Sequence, residues 1–185
     1  MLAYVFWHWR RPEVEAGHYK AAQRRFHEAL AAVPPPGFRR SWCLEISGAG
    51  WAANGGEAYE DWYLLDDSAA IDPLNAAAVS ASRQAPHDAA AALAADGTAG
   101  LYSLRLGAAD GPPQAASWLA KPAGMSYPDL FAALAPIVRD EEAALWGRQM
   151  TLGPALEFCV HAAGPVALPP PLMATPIRCR RVWPR

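Results

Sequence analysis

Three histidines lie in apolar surroundings along the chain, and a partly buried imidazole can accept and donate protons near neutral pH. His8 ends an aromatic segment, His27 borders an apolar helical stripe, and His161 ends a late apolar run. Buried histidines are often no more than hydrogen-bonded core residues, so each also has a structural interpretation. We predict His8, His27 and His161 as the candidate acid–base residues.

Carboxylates on neighbouring strands could provide a general base. Glu45 and Asp61 fall on two runs that we expect to pair, and one member of a carboxylate pair in an apolar site has a raised pKa. An ion pair with Arg105 or Arg148 would explain these two residues equally well. A mixed metal site of Glu45 with two of the histidines has no local ligand spacing to support it, so we predict no metal and no cofactor.

The composition excludes several classes of protein. The 185 residues are 52% hydrophobic and carry a net charge of −2, without the basic stripe that nucleic-acid binding requires. No apolar run approaches the roughly 20 residues of a membrane span, and the first residues lack a signal-peptide pattern. Motifs for nucleotide binding and for serine hydrolysis are absent. We therefore expect a cytoplasmic protein without nucleic-acid or membrane partners, and its three cysteines as free thiols.

The first half of the chain predicts the order β-α-β-β-α-β. Aromatic and β-branched residues predict the first strand, and apolar residues three and four apart predict the first helix. The predicted strands are 3–9, 39–47, 59–65 and 99–106. The predicted helices are 13–33 and 68–95, the second with a break at Pro86. This order is that of a ferredoxin-like unit.

The second half repeats the order in shortened form. Ser126 is a candidate N-cap for a helix that ends near Val138. The predicted strands are 117–120, 145–152, 155–161 and 177–183. Five prolines between positions 165 and 176 forbid a second helix. We predict an α+β fold of two tandem ferredoxin-like halves, 1–107 and 115–185, in one compact unit.

Short motifs carry a resemblance to a known family. Arg10-Arg11-Pro12 ends the first strand, Phe26-His27-Glu28-Ala29-Leu30 lies in the helix, and Pro36-Gly37-Phe38-Arg39 opens the second strand. Together they resemble the EthD-like members of the dimeric α/β-barrel superfamily. Lys121-Pro122 looks like a second copy of the first junction, although Pro136 lies where a histidine is expected. The resemblance implies two sheets facing each other around a cavity, built by one chain or by a homodimer.

Strand alternation separates the two faces of each predicted sheet. In the first strand we place Ala3, Val5, Trp7 and Trp9 beneath the helices. The cavity then receives Tyr4, Phe6, His8, Cys43, Glu45, Asp61, Tyr63, Ser103 and Arg105 from the first half, and Gln149, Glu157, Cys159 and His161 from the second. Our predicted binding residues among them are Tyr4, Glu45, Asp61, Tyr63, Arg105 and Gln149. The alternative is that these strands face solvent.

These features predict a barrel protein that binds a small molecule, as a monomer or homodimer. The resemblance implies a cofactor-independent oxygenase or isomerase acting on an aromatic or polyketide-like compound. Two alternatives stay open, a non-catalytic structural or assembly protein and a haem-binding protein. Fold-level analogy cannot select among them.

Overall fold

The computed structural model describes residues 1–151 and 153–184. These residues form one antiparallel sheet and four α-helices, which confirms the predicted α+β class. The elements are β1 Leu2–Arg10, α1 Ala16–Ala32, β2 Phe38–Ile46, β3 Ala58–Leu65, α2 Ile71–Ala78, α3 Ala81–Leu93, β4 Ala94–Gly107, β5 Ala115–Leu119, α4 Tyr127–Asp140, β6 Ala144–Arg148, β7 Phe158–Ala162, β8 Ala174–Arg178 and β9 Arg180–Trp183.

Most boundaries agree with the local sequence signals, but several differ. Ser126 caps α4 as predicted, because its side chain accepts a hydrogen bond from the Asp129 backbone N–H. The helical break falls at Val79 and Ser80, before α3, while Pro86 lies inside α3 and removes one backbone hydrogen bond there. The strand predicted for 145–152 ends at 148, and position 152 is outside the described residues. The predicted last strand is divided between β8 and β9.

The sheet has the order β8-β5-β7-β6-β4-β1-β3-β2-β9. The prediction of two sheets closed into a barrel is wrong, because β4 pairs with β6 and joins the strands into one open sheet. Both halves of the chain follow the same internal order of fourth, first, third and second strand. β8 and β9 lie at opposite ends of the order, although only Cys179 separates them along the chain.

The sheet curls strongly around one of its faces. Trp7 on β1 and Trp118 on β5 have ring centroids 5.6 Å apart, whereas four strand spacings in a flat sheet would separate them by about 19 Å. We call this side the concave face. Its centre, the tryptophan core, consists of Trp7, Trp42, Trp62, Tyr102, Trp118 and Trp146, all buried.

Helices cover the opposite, convex face of the sheet. Helices α1 to α3 pack over the first half with Leu30 and Leu74, and α4 packs over the second half with Leu130 and Leu134. The predicted faces of the first strand are therefore exchanged. Ala3, Val5, Trp7 and Trp9 face the tryptophan core, and Tyr4, Phe6 and His8 face the helices. The concave face requires the uniformly apolar set because it packs against the other half of the chain.

None of the described helices combines the length and apolar character that a membrane span requires. The longest, α1, has 17 residues.

Candidate functional site

Asp61 lies at the centre of a buried polar network on the convex face. Its Oδ2 is 3.2 Å from His8 Nε2, and its Oδ1 is 3.2 Å from His27 Nε2. Both Nε2 atoms lie within ion-pair distance of the carboxylate, but neither contact has the geometry of a well-formed hydrogen bond. The Tyr63 hydroxyl donates a hydrogen bond of 2.9 Å to Oδ2. One carboxylate thus joins a histidine of β1 to a histidine of α1.

Two hydroxyl groups complete this Asp61 network. Tyr19 Oη lies 2.6 Å from His8 Nδ1, and Ser41 Oγ lies 2.8 Å from His27 Nδ1. Because an ionised Asp61 only accepts, we assign a proton to each Nε2, facing the carboxylate, and each Nδ1 then accepts from its hydroxyl. The result is a continuous chain of groups from Tyr19 to Ser41 through two imidazoles and a carboxylate.

The charge on Asp61 depends on its two neighbours. Burial by itself would raise the pKa of this carboxyl, but His27 and His8 outweigh that effect and hold it well below its usual range. Burial, with a smaller effect of Asp61, raises the pKa of Tyr19 and of Tyr63. Both tyrosines therefore act as neutral hydroxyl groups beside an ionised carboxylate.

A pocket of about 400 Å³ opens above the network, between the convex face and helices α1 to α3. Its aromatic lining consists of Tyr4, Phe6, Phe26 and Tyr63, and its polar lining includes His8, Tyr19, Gln23 and Asp61, with Asp72, Asn75 and His87 from α2 and α3. Apolar walls with a few convergent polar groups are typical of small-molecule sites.

The structure brings some of the predicted site residues together and separates the others. His8, Asp61, Tyr4 and Tyr63 line the pocket, and His27 lies behind them against Asp61. Their roles in binding or catalysis stay predictions.

Three predicted binding residues lie away from the pocket lining. Glu45 forms ion pairs with Lys20 at 2.7 Å and Arg180 at 3.4 Å, so the predicted carboxylate pair with Asp61 does not form. Arg105 is exposed. Gln149 is tied by its backbone N–H to the carbonyl of Leu101 on β4.

His161 lies on the concave face, so the prediction that it shares a cavity with His8 is wrong. Its ring packs 4.2 Å from that of Trp62. Burial lowers its pKa to about 3, so the imidazole is neutral. The physical reason is the exchange of faces in the first half, because the sheet itself separates the two histidines.

Several residues of the site were absent from the predicted set. Tyr19 and Gln23 are one helical turn apart on the buried side of α1, and polar residues on an apolar stripe are a signal that could have identified them. Ser41 is buried beside His27. His87 is partly exposed and packs edge-on to Phe26 with ring centroids 5.5 Å apart.

A second buried carboxylate lies on the concave face, inside the tryptophan core. Glu60 accepts a hydrogen bond of 2.7 Å from Trp7 Nε1 and another from Trp62 Nε1. Burial raises its pKa to about 7, although the two indole donors oppose the shift. Nothing in the local sequence marked this residue, which lies in a buried strand.

Comparison with known proteins shows a shared fold. No family model and no curated protein matches the chain. A Fusobacterium nucleatum protein described as a candidate monooxygenase superposes with a TM-score of 0.59, covering 87% of this chain and 74% of that chain at 10% identity. A protein described as anthrone oxidase-like gives a TM-score of 0.48 at 9% identity, covering 99% of this chain and 94% of that one. The first likeness agrees with the predicted ferredoxin-like class, while the EthD-like family itself stays a prediction.

Proposed function

We propose that this protein binds a small aromatic compound in the pocket and removes a proton from it, as the first step of a cofactor-independent oxygenase reaction. The observation that carries the proposal is the position of His8. It lies at the pocket between the hydroxyl of Tyr19 and the carboxylate of Asp61. A base that is oriented by a third group is the arrangement that general-base catalysis requires.

The proton would leave the substrate through Tyr19. As the Tyr19 oxygen takes a proton from the substrate, its own proton passes to His8 Nδ1, 2.6 Å away. The resulting imidazolium faces the Asp61 carboxylate. That carboxylate also contacts His27 Nε2 and accepts a hydrogen bond from the Tyr63 hydroxyl. The raised pKa of Tyr19 supports this order, because the phenol keeps its proton until the base withdraws it.

The pocket walls favour an aromatic substrate with an acidic C–H group. Phe6, Phe26 and Tyr4 provide flat apolar surfaces, and Asn75 and Asp72 can bind hydroxyl groups. A deprotonated, resonance-stabilised methylene can reduce dioxygen, so that the CH2 group becomes C=O and the second oxygen atom leaves as water. The structural neighbour described as a candidate monooxygenase supports an oxygenase over an isomerase.

A rate measurement with an anthrone as the probe tests the proposal. We expect oxygen consumption by the wild type, and a decrease of roughly 100-fold or more in kcat for His8→Gln and Tyr19→Phe, because general-base catalysis contributes about that much. His161→Gln is the matched control, since it removes a buried histidine from the other face. Failure of the anthrone to bind in calorimetry, or wild-type turnover by His8→Gln, would refute the proposal.

We also infer that the two halves derive from one ferredoxin-like unit. The support is their common strand order, and the loss of one helix in the second half follows from its prolines. A haem-binding role has less support, because it rests only on the presence of histidines at the pocket. An absorbance spectrum of the purified protein tests that alternative.

A further inference from the structure

We propose that the base of the pocket also binds a divalent transition-metal ion, with His8, Cys43 and Asp61 as its ligands. The three residues come from β1, β2 and β3 and are fully buried. An imidazole nitrogen, the Cys43 sulfur and a carboxylate oxygen lie within 4.8 Å of one another. This inference goes beyond the proposed function, which concerns the metal-free protein.

The distances are close to those of a tetrahedral site. Metal bonds of about 2.0 Å to nitrogen and oxygen and about 2.3 Å to sulfur place neighbouring ligand atoms about 3.3 to 3.5 Å apart. His8 Nε2 and Asp61 Oδ2 already lie 3.2 Å apart. A contraction of up to about 1.3 Å in the widest pair would complete the set.

The buried polar atoms around the cluster are a second, independent observation. His8 Nε2 and Asp61 Oδ1 are buried and have no well-formed hydrogen bond among the described residues. Such atoms are rare in folded proteins, and each costs about 1 to 3 kcal/mol. A metal ion coordinated by His8 Nε2 would remove this cost for the imidazole.

The groups that contact His8 and Asp61 are compatible with a bound metal. A histidine that coordinates through Nε2 must donate its Nδ1–H, and Tyr19 Oη is 2.6 Å away to accept it. The carboxylate would keep His27 and Tyr63 as its outer contacts. Three protein ligands beside a pocket leave a fourth position for a small molecule, as in catalytic zinc sites.

The ligand types select the class of metal. Imidazole, thiolate and carboxylate favour Zn²⁺ or Co²⁺ over Mg²⁺ and Ca²⁺, and the two anionic ligands balance the charge of the ion. The sequence-based expectation of no metal concerned His8, Glu45 and His161, and of these only His8 belongs to this cluster. Because the metal would leave His8 Nδ1 protonated, it would also prevent the proton transfer from Tyr19.

Cobalt titration of the full chain, after removal of metals with a chelator, tests the site. We expect one equivalent of Co²⁺ to bind, with a thiolate-to-cobalt charge-transfer band. Cys43→Ser should abolish the band and weaken binding at least 10-fold, whereas Cys159→Ser, which removes a buried thiol from the concave face, should change neither. X-ray absorption of the zinc-loaded wild type should show one sulfur ligand at about 2.3 Å and needs no variant.

Absence of the band in the wild type, absence of a sulfur ligand, or equal loss in the two cysteine variants would overturn the metal site. The proposed function is tested separately, with the metal-free protein. A protein that oxidises the anthrone but binds no cobalt would refute only the metal site, and one that binds cobalt but no anthrone would refute only the function.

Discussion

Two adjacent residues of β3, Glu60 and Asp61, have carboxyl groups on opposite faces of the sheet, and their pKa values shift in opposite directions. Asp61 points to the convex face and meets two imidazoles, and its pKa is lowered. Glu60 points to the concave face and meets only neutral indole N–H groups, and its pKa is raised to about 7. Both side chains are almost completely buried. The difference therefore comes from their partners and not from burial alone.

The two carboxyls should affect stability in opposite directions as the pH changes. Asp61 stabilises the folded protein above its unfolded pKa of about 3.9, and this contribution is lost as the pH falls through the lower folded pKa. Glu60 binds its proton more tightly in the folded state. Folding is therefore weakened as the pH rises from about 4.3 to about 7.

Asp61→Asn should have the largest effect on stability. Asp61 faces two imidazoles and accepts a hydrogen bond from Tyr63, and a buried polar group left without its partner costs about 1 to 3 kcal/mol, so we expect a loss of roughly 4 kcal/mol in the free energy of unfolding at pH 7, measured with urea. Asp66→Asn is the matched control, because Asp66 pairs with Arg39 at the surface and should cost less than about 1 kcal/mol. Equal effects of the two substitutions would show that the imidazoles do not stabilise Asp61.

Glu60→Gln should change the pH dependence of stability. The difference in unfolding free energy, variant minus wild type, should increase by about 3 kcal/mol between pH 4 and pH 8, because the variant has no proton to lose. At pH 4 this difference also contains the effect of replacing a carboxyl group by an amide beside the two indole N–H donors. Glu28→Gln removes an exposed carboxyl and controls for net charge. A difference that stays constant over this range would contradict the raised pKa.

Ser41→Ala should have the smallest of the three effects. It removes the hydrogen bond of 2.8 Å to His27 Nδ1 and should lower the free energy of unfolding by about 1 to 2 kcal/mol. Ser103→Ala provides the comparison, since its contact with the carbonyl of Gly147 is 3.5 Å long and its loss should cost little. A Ser41 variant as stable as the wild type would remove Ser41 from the Asp61 network.

Local sequence signals predicted most of the elements but not the side on which the site lies. Alternation along β1 correctly grouped Tyr4, Phe6 and His8 on one face. Which face lies beneath the helices depends on how the distant half of the chain packs, and β1 alone carries no information on that. The apolar residues on the other face, Ala3, Val5, Trp7 and Trp9, could be buried equally well against a helix or against another part of the sheet.

The candidate site was predictable only in part for the same reason. His8 and Asp61 were identified by residue type and alternation, but Tyr19 joins them through the packing of α1 on the sheet. The Cys43 cluster combines positions 8, 43 and 61 of three strands, so it has no local spacing to detect. Glu60 is unusual only in its tertiary surroundings, which no short pattern describes.

The last two strands have a consequence for how the chain reaches its folded state. One continuous segment, 174–183, pairs with β5 through β8 and with β2 through β9. Until this segment has left the ribosome, the backbone N–H and C=O groups along β5 and β2 have no partner on that side, and unpaired edges promote aggregation. We therefore expect the growing polypeptide to be most prone to self-association just before the segment 174–183 emerges.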